Sequence, residues 1–358
     1  MKMSFLLIFS ISTSAFSFPD TIRHGYVNCT SCHISPSGGG LINSYGRSLS
    51  RELLSTWGKD EEEKNTFFDL AKLPSGIMDK FLIGGDARYI SRRQNTQVYQ
   101  VDEGFLMQAQ LRLGLEYSKF KFITALGKIY NPRTSQKVRW VSPEYYTIYS
   151  PQESLHFRAG RFEPVFALRL PDHNLWVKSE LGFLPWNERD TIETIYEGET
   201  QFLSVAGFQS TSTISSVMQT TGYTVNFDQI IYDTTRVGLS AMNLEGQGLR
   251  QKTLGGHGII SWTEKLFSMF DYSRVWSLDA KKDVAFFRTG YEIYKGINPF
   301  VQYQAKIDRY KSANNQKRYG VGLSWLPRPH IEIVLQAEKT KSQRGDSNEN
   351  FVLLHFYL

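Results

Sequence analysis

From Phe81 onward the chain repeats one pattern. In the stretch FLMQAQLRLGLEY, the residues Phe105, Met107, Ala109, Leu111, Leu113, Leu115 and Tyr117 alternate with Gln108, Gln110, Arg112, Gly114 and Glu116. Successive side chains of a strand point to opposite faces, so strict alternation marks a strand with one apolar and one polar face. The stretch is also longer than the roughly 5–6 residues of a usual globular strand. The pattern recurs. Ile297, Val301, Tyr303, Ala305 and Ile307 oppose Asn298, Gln302, Gln304, Lys306 and Asp308, and Ile331, Ile333, Leu335 and Ala337 oppose Glu332, Gln336 and Glu338. Short links such as SKF, YDTT, TEK and KGIN alternate with longer polar ones such as RRQNTQVYQVDE, NLEGQGLRQ and KSQRGDSNE. This rhythm predicts about 16 antiparallel strands of about ten residues.

Long amphipathic strands joined by short turns at one end and long loops at the other resemble the bacterial outer-membrane, porin-like β-barrels. The resemblance runs from about Phe81 to Leu358. It implies an all-β transmembrane barrel whose apolar rows meet membrane lipid and whose polar rows meet a wet lumen. A soluble β-sandwich also alternates, but with shorter strands. Aromatic residues make up 14% of the chain, an excess that girdles at the two membrane interfaces absorb. Tyr89, Tyr117, Tyr130, Tyr294 and Trp325 are the candidates, each expected near a strand end. The last strand, NENFVLLHFYL, places Val352, Leu354, Phe356 and Leu358 on one face, and ends in Leu358 rather than in an aromatic residue. One connection breaks the rule of polar loops. Residues Glu163 to Asn187 are long and apolar, which predicts either a loop folded into the lumen, with Asp172 and His173 at a constriction, or a loop packed on itself. Its GRFEPVF start resembles the strand-to-loop passage of some anion-specific porins.

The N-terminus changes the picture. Lys2, the apolar run FLLIFSI and the small residues AFS predict a secretory signal peptide over residues 1–17. The run is too short for a spanning helix, which needs roughly 20 apolar residues. Beyond it, Cys29-Thr30-Ser31-Cys32-His33 contains both cysteines of the chain. Zinc would need four Cys or His ligands and no second pair exists. A redox disulfide would need a βαβ context, which does not follow, and would leave His33 without a role. Covalent haem uses all three residues, and here the segment resembles the attachment motif of c-type cytochromes. The resemblance implies one haem c, held by thioethers from Cys29 and Cys32, with His33 as proximal iron ligand. His24 is the candidate distal ligand, and SPSGGG after the motif lets backbone lie close to a haem edge. The chain then divides into the signal peptide, a small, partly helical monohaem module at 18–78 and the barrel at 79–358.

Two functions follow as expectations. The first is electron transfer at or across the outer membrane, with periplasmic or extracellular redox proteins as partners, since one haem cannot bridge an apolar band of about 25 Å. The alternative is a porin-like channel for small solutes in which the haem module is a plug or sensor. The inward rows carry Arg112, Arg158, Arg236, Arg288 and Lys306 against Glu116, Glu292 and Glu338, at most a slight anion bias. The formal charge of +6 is spread without a basic block, which gives nucleic acid no track. No Ser-His-Asp arrangement, phosphate loop or zinc-hydrolase motif is legible, so no enzymatic activity is assigned.

Overall fold

The computed structural model describes residues 24, 30–36, 38–58, 80–130, 138–170, 172, 174–183, 188–210, 220–232, 234–246 and 249–358. The predicted signal peptide, Cys29 and His173 lie outside them. Seventeen antiparallel strand segments form one closed sheet, β1 (Phe81–Thr96) pairing with both β2 (Gln100–Tyr117) and β17 (Ser347–Tyr357). The others are β3 (Phe120–Tyr130), β4 (Val138–Val141), β5 (Tyr145–Gln152), β6 (Leu155–Phe162), β7 (Arg189–Glu197), β8 (Gln201–Gln209) and β9 (Thr220–Ile231). They continue with β10 (Thr235–Gly246), β11 (Leu249–Ser261), β12 (Leu266–Ser277), β13 (Lys281–Tyr291), β14 (Ile297–Asp308), β15 (Gln316–Trp325) and β16 (Ile331–Ser342). Segments β4 and β5 both pair with β3 and make one barrel strand, so the barrel has 16. The break falls at Ser142-Pro143-Glu144, where proline has no N–H to give the ladder. Ser142 Oγ and the Glu144 carbonyl bind Ala125 instead, at 2.9 and 2.7 Å.

Closure at β1 and β17 satisfies the last backbone edge, and Leu358 extends it by exchanging hydrogen bonds with Gly85. The alternation reads out as predicted. Along β2, Leu111 and Leu113 are exposed outward while Gln108 and Gln110 are buried inward. On β17, Val352 and Leu354 face out and His355 and Tyr357 face in. Outward aromatic side chains gather toward both rims. Phe122, Phe120, Tyr149 and Phe157 form a stacked row near the short turns, with 4.8 Å between the Phe120 and Tyr149 rings. Trp140, Tyr223 and Tyr319 lie exposed toward the other rim. Tyr89 departs from the expectation: it sits in the middle of β1, beside the bulge that shifts register at Arg88/Tyr89.

The long polar links are shorter than the sequence reads. Much of RRQNTQVYQVDE is continued strand, held by Arg92–Glu103 and Arg93–Asp102 pairs across β1 and β2. Strand segments that rise beyond an apolar band are wet on both faces, so alternation disappears although pairing goes on. The haem-module expectation of a partly helical domain reduces, among the described residues, to one short helix, α1 (Ser44–Leu49), continued by a single π turn at Ser50–Leu54.

A lipid-facing role for the outer wall has a direct consequence. Val321, midway along β15 and 58% exposed, is expected to tolerate arginine poorly: Val321→Arg should cost about 2–4 kcal/mol in reversible folding into lipid vesicles. A cost within about 0.5 kcal/mol, as at an ordinary wet surface, would place this face in water.

A plugged lumen as candidate functional site

The described residues of the loop after β6 (163–170, 172 and 174–183) fold into the barrel. The loop's single helical turn, α2 (Trp176–Ser179), lies against β12, β13 and β14. Leu170, Leu175, Trp176 and Val177 pack on Ile259, Phe267, Met269, Val284 and Phe286 of the inner wall. Phe166, Leu181 and Phe183 pack on Phe208, Met242, Leu244 and Val275. Of the two readings of this loop, insertion into the lumen is therefore the one observed. Polar anchors fix it. The Trp176 amide donates to Gln304 Oε1 at 2.8 Å, and Asp172 accepts from Arg288 at 2.5 Å. The inward apolar residues break the expected polar row. The signal was present in β12, LFSMFDYSRVWS, where Phe267 and Met269 face in while Phe270 and Tyr272 stand on the alternate row: both rows of that strand carry large apolar residues.

A second body fills the short-turn mouth. Residues 32–34 run antiparallel to 41–43, with Ile34 N–H donating to Leu41 and Asn43 N–H to Cys32. Between them Ser35, Pro36 and Gly38–Gly40 lie in a tip, in which Gly38, Gly39 and Gly40 take φ of 76°, 72° and 67°, a left-handed run that side-chain-bearing residues resist. This tip enters the lumen. Ser35 accepts from Arg158 Nη1 at 2.8 Å, and the Gly38 carbonyl accepts from Arg169 of the inserted loop at 3.0 Å. Leu41, fully buried, fits among Ile123, Tyr146, Ile148 and Phe162 of the wall.

The base of the plug crosses to other strands. Asn43 caps α1 by accepting from Gly46 N–H at 2.8 Å. Ser50 Oγ lies 2.9 Å from the Tyr357 hydroxyl, Thr56 hydrogen bonds to the Lys295 and Leu326 carbonyls, and Trp57 meets Trp325 edge-on at 5.6 Å. Arg47 donates to the Ile83 carbonyl. His330, in the turn between β15 and β16, is buried against this base. Burial, with the Arg47 guanidinium nearby, pushes its imidazole down to about 4, so the plug docks on a neutral ring at pH 7.

Arg158 and Glu193 tie plug, loop and wall together. Both are nearly inaccessible. Arg158 Nε donates to Glu193 Oε2 at 2.9 Å, and its guanidinium lies 3.8 Å from the Phe162 ring centroid. Glu193 Oε1 accepts from the Val165 amide at 3.0 Å and from Ser204 at 2.9 Å. A second anchor contains an arrangement that the sequence did not show. Ser240 Oγ lies 3.3 Å from His257 Nδ1, and His257 Nε2 lies 2.6 Å from Asp228. It is not wired as a nucleophile. The serine hydroxyl donates to Asn226 at 2.6 Å and accepts from the Ala167 amide at 3.0 Å, fixing Ala167 in its left-handed conformation.

Between the tip, the loop and the wall lies a cavity of about 270 Å³. Its wall carries His33, Gly38–Gly40, Asp86, Arg88, Arg112, Glu144, Glu163, Arg169, Lys178, Glu188, Asp228, Arg236, His257 and His355. Of the motif residues, His33 faces this cavity. Cys32 instead packs against Leu49 and Leu53, under Gly46, whose missing Cβ would stand 2.7 Å from the Cys32 carbonyl oxygen. His24 is half-buried and does not line the cavity. The predicted charges divide. Arg112 and Arg236 line the cavity, Arg158 holds the plug, Arg288 and Lys306 hold the loop, and Glu116 pairs with Lys121 near the short-turn rim.

No protein-family model and no curated protein sequence matches this chain. Solved structures do. The outer-membrane channel DcaP of Acinetobacter baumannii superposes with a TM-score of 0.59 at 12% identity, over 78% of this chain and 97% of the channel. Pseudomonas putida OprB gives 0.62 at 7% identity, over 86% of this chain and 99% of its own. An anion-selective porin from Comamonas acidovorans gives 0.58 at 10%, over 78% and 99%. At such identities the likeness shows the fold: a closed, porin-like barrel.

Removing the hub charge tests its role. Arg158→Met leaves Glu193 buried without its cation and is expected to cost about 3–5 kcal/mol, whereas Arg158→Met with Glu193→Leu should restore much of the loss. Denaturant-dependent refolding in detergent reads both, and equal losses in the single and double variants would contradict the hub.

Proposed function

We propose that this chain is a porin-like solute channel of a bacterial outer membrane, closed toward the periplasm by its own N-terminal segment. The observation that carries the reading is the insertion of the Ser35–Gly40 tip and Leu41 into the lumen of a closed barrel. An even number of strands brings both chain ends to the same rim, which in outer-membrane barrels is the periplasmic, short-turn side. A barrel of this size leaves an aqueous passage unless something fills it. Here an inserted loop narrows it and the plug caps it. The outward apolar face, the two aromatic rims and the fold shared with DcaP and OprB support the membrane placement. Planar-bilayer recording tests it. The full mature chain should conduct weakly, and Leu41→Asp, which expels the tip from its apolar seat, should raise conductance several-fold. Equal conductance in the two would remove the plug from the reading, and no conductance in either would remove the channel.

A second reading rests on the sequence Cys29-Thr30-Ser31-Cys32-His33. In it one haem c is attached to the plug through Cys29 and Cys32, with His33 on the iron and His24 as distal ligand, and the chain exchanges electrons with periplasmic or extracellular partners. What supports the reading is the motif itself and His33 on the cavity wall, next to glycines that present no Cβ, while Cys32, turned to Leu49 and Leu53, does not face that cavity. Bound there, the group would supply a one-electron iron couple. Protein made in a host able to ligate haem should give a pyridine haemochrome spectrum that survives denaturation and disappears in Cys32→Ser. A colourless product from that host would sink this reading.

A further inference from the structure

Two cavities inside the barrel share one pair of side chains. The first is the space between tip, loop and wall. The second, of about 40 Å³, lies further toward the long-loop rim, between Asp172 and Leu175 of the inserted loop and the wall at Ile90, Val334 and Leu353. Only Arg88 and His355 line both. They are direct cross-strand partners on β1 and β17, so together they form a neck between the two spaces.

The inner wall differs on its two sides. The inserted loop is packed on β8 and β10–β13 through apolar residues, and Val284 and Phe286 beneath it are nearly inaccessible. An apolar seam of that kind excludes water. On the other side Gln108, Gln302 and Gln336 face inward and keep the wall wettable. A bulge falls at the neck. Arg88 stands opposite Gln108 and Tyr89 opposite Leu106, which leaves Met107 as the extra residue on β2. Met107 lines the second cavity, although strict alternation puts it in the outward row. Bulges re-aim side chains in this way beside functional sites. Of the two neck residues, His355 is buried, and its Nδ1 lies 3.0 Å from Glu332. Arg88 is half-buried and longer, and it has the reach to close or clear the gap.

We infer that solutes cross the lumen along the wall formed by β14–β17 and β1, and that the Arg88 side chain closes this route between the two cavities. The inference deepens the channel reading and rests on it: the plug is the first barrier and Arg88 the second. Both cavities mix cations with carboxylates, so the neck limits passage by size rather than by the sign of charge.

Planar-bilayer conductance of the full mature chain tests it in the Leu41→Asp background, where the tip is expelled. Adding Arg88→Ala is expected to raise single-channel conductance at least about twofold, because the neck widens by most of a side chain. Adding Val334→Trp, which fills the second cavity from β16, is expected to lower it by about half or more. Adding Val284→Ala, on the apolar seam, is expected to leave it unchanged. Unchanged conductance with Arg88→Ala or with Val334→Trp would overturn the inference, as would a rise with Val284→Ala equal to that with Arg88→Ala. The first two substitutions lie on different strands, so a folding defect in one leaves the other as the test. Conductance in Leu41→Asp that is indifferent to Arg88 keeps the channel and removes the route. Silence in Leu41→Asp and in every variant built on it removes both.

Discussion

Closure of the sheet is the constraint from which the rest follows. Every N–H and C=O of a membrane-crossing strand needs a partner within the protein, and the β1–β17 pairing, extended by Leu358 on Gly85, supplies the last of them. Once the sheet closes, alternate side chains are committed to a space that lipid cannot enter. That space must be wet, packed or capped. This chain uses all three: a polar cavity, an inserted apolar loop and an N-terminal plug.

The energetics differ between the two inserted bodies. The loop is held by apolar burial, with Trp176 and the leucines around it set against inward-facing Phe267, Met269 and Phe286. The plug is held by a smaller apolar contact, Leu41 and Ile34 against the wall, by hydrogen bonds to turn carbonyls and by Arg158 reaching Ser35. A body attached mainly through hydrogen bonds at its edges releases at lower cost than one sunk in an apolar core, because water replaces those bonds on release. The Arg158–Glu193 pair joins both bodies to the same wall strands, so the seating of the plug and the path of the loop are coupled through one buried charge pair.

Different parts of this architecture were legible in the sequence for different physical reasons. Strand alternation was legible wherever one face meets an apolar medium and the other water, as in Gln108 to Tyr117. It failed at Arg92–Glu103, where strands continue with both faces wet, and in β12, where the inward row is apolar as well because it meets the inserted loop. The apolar loop at Glu163–Asn187 was recognisable from composition as one that does not stay in water, but whether it enters the lumen or packs on itself was decided only by the apolar inner wall it meets. Arg158 and Arg112 were recognisable as inward charges, but their partners Glu193 and Asp86 were not, since ion pairing across strands depends on register.

By itself the sequence determined a long amphipathic β repeat of about 16 strands and a Cys-x-x-Cys-His segment ahead of it, because period, length and spacing are local properties of the chain. Only the tertiary structure decided that Ser35 and Gly38–Gly40 enter the lumen, and that His33 faces a cavity while Cys32 turns to Leu49 and Leu53. Those outcomes depend on which distant strands become neighbours when the cylinder closes, and no local window of residues contains that information.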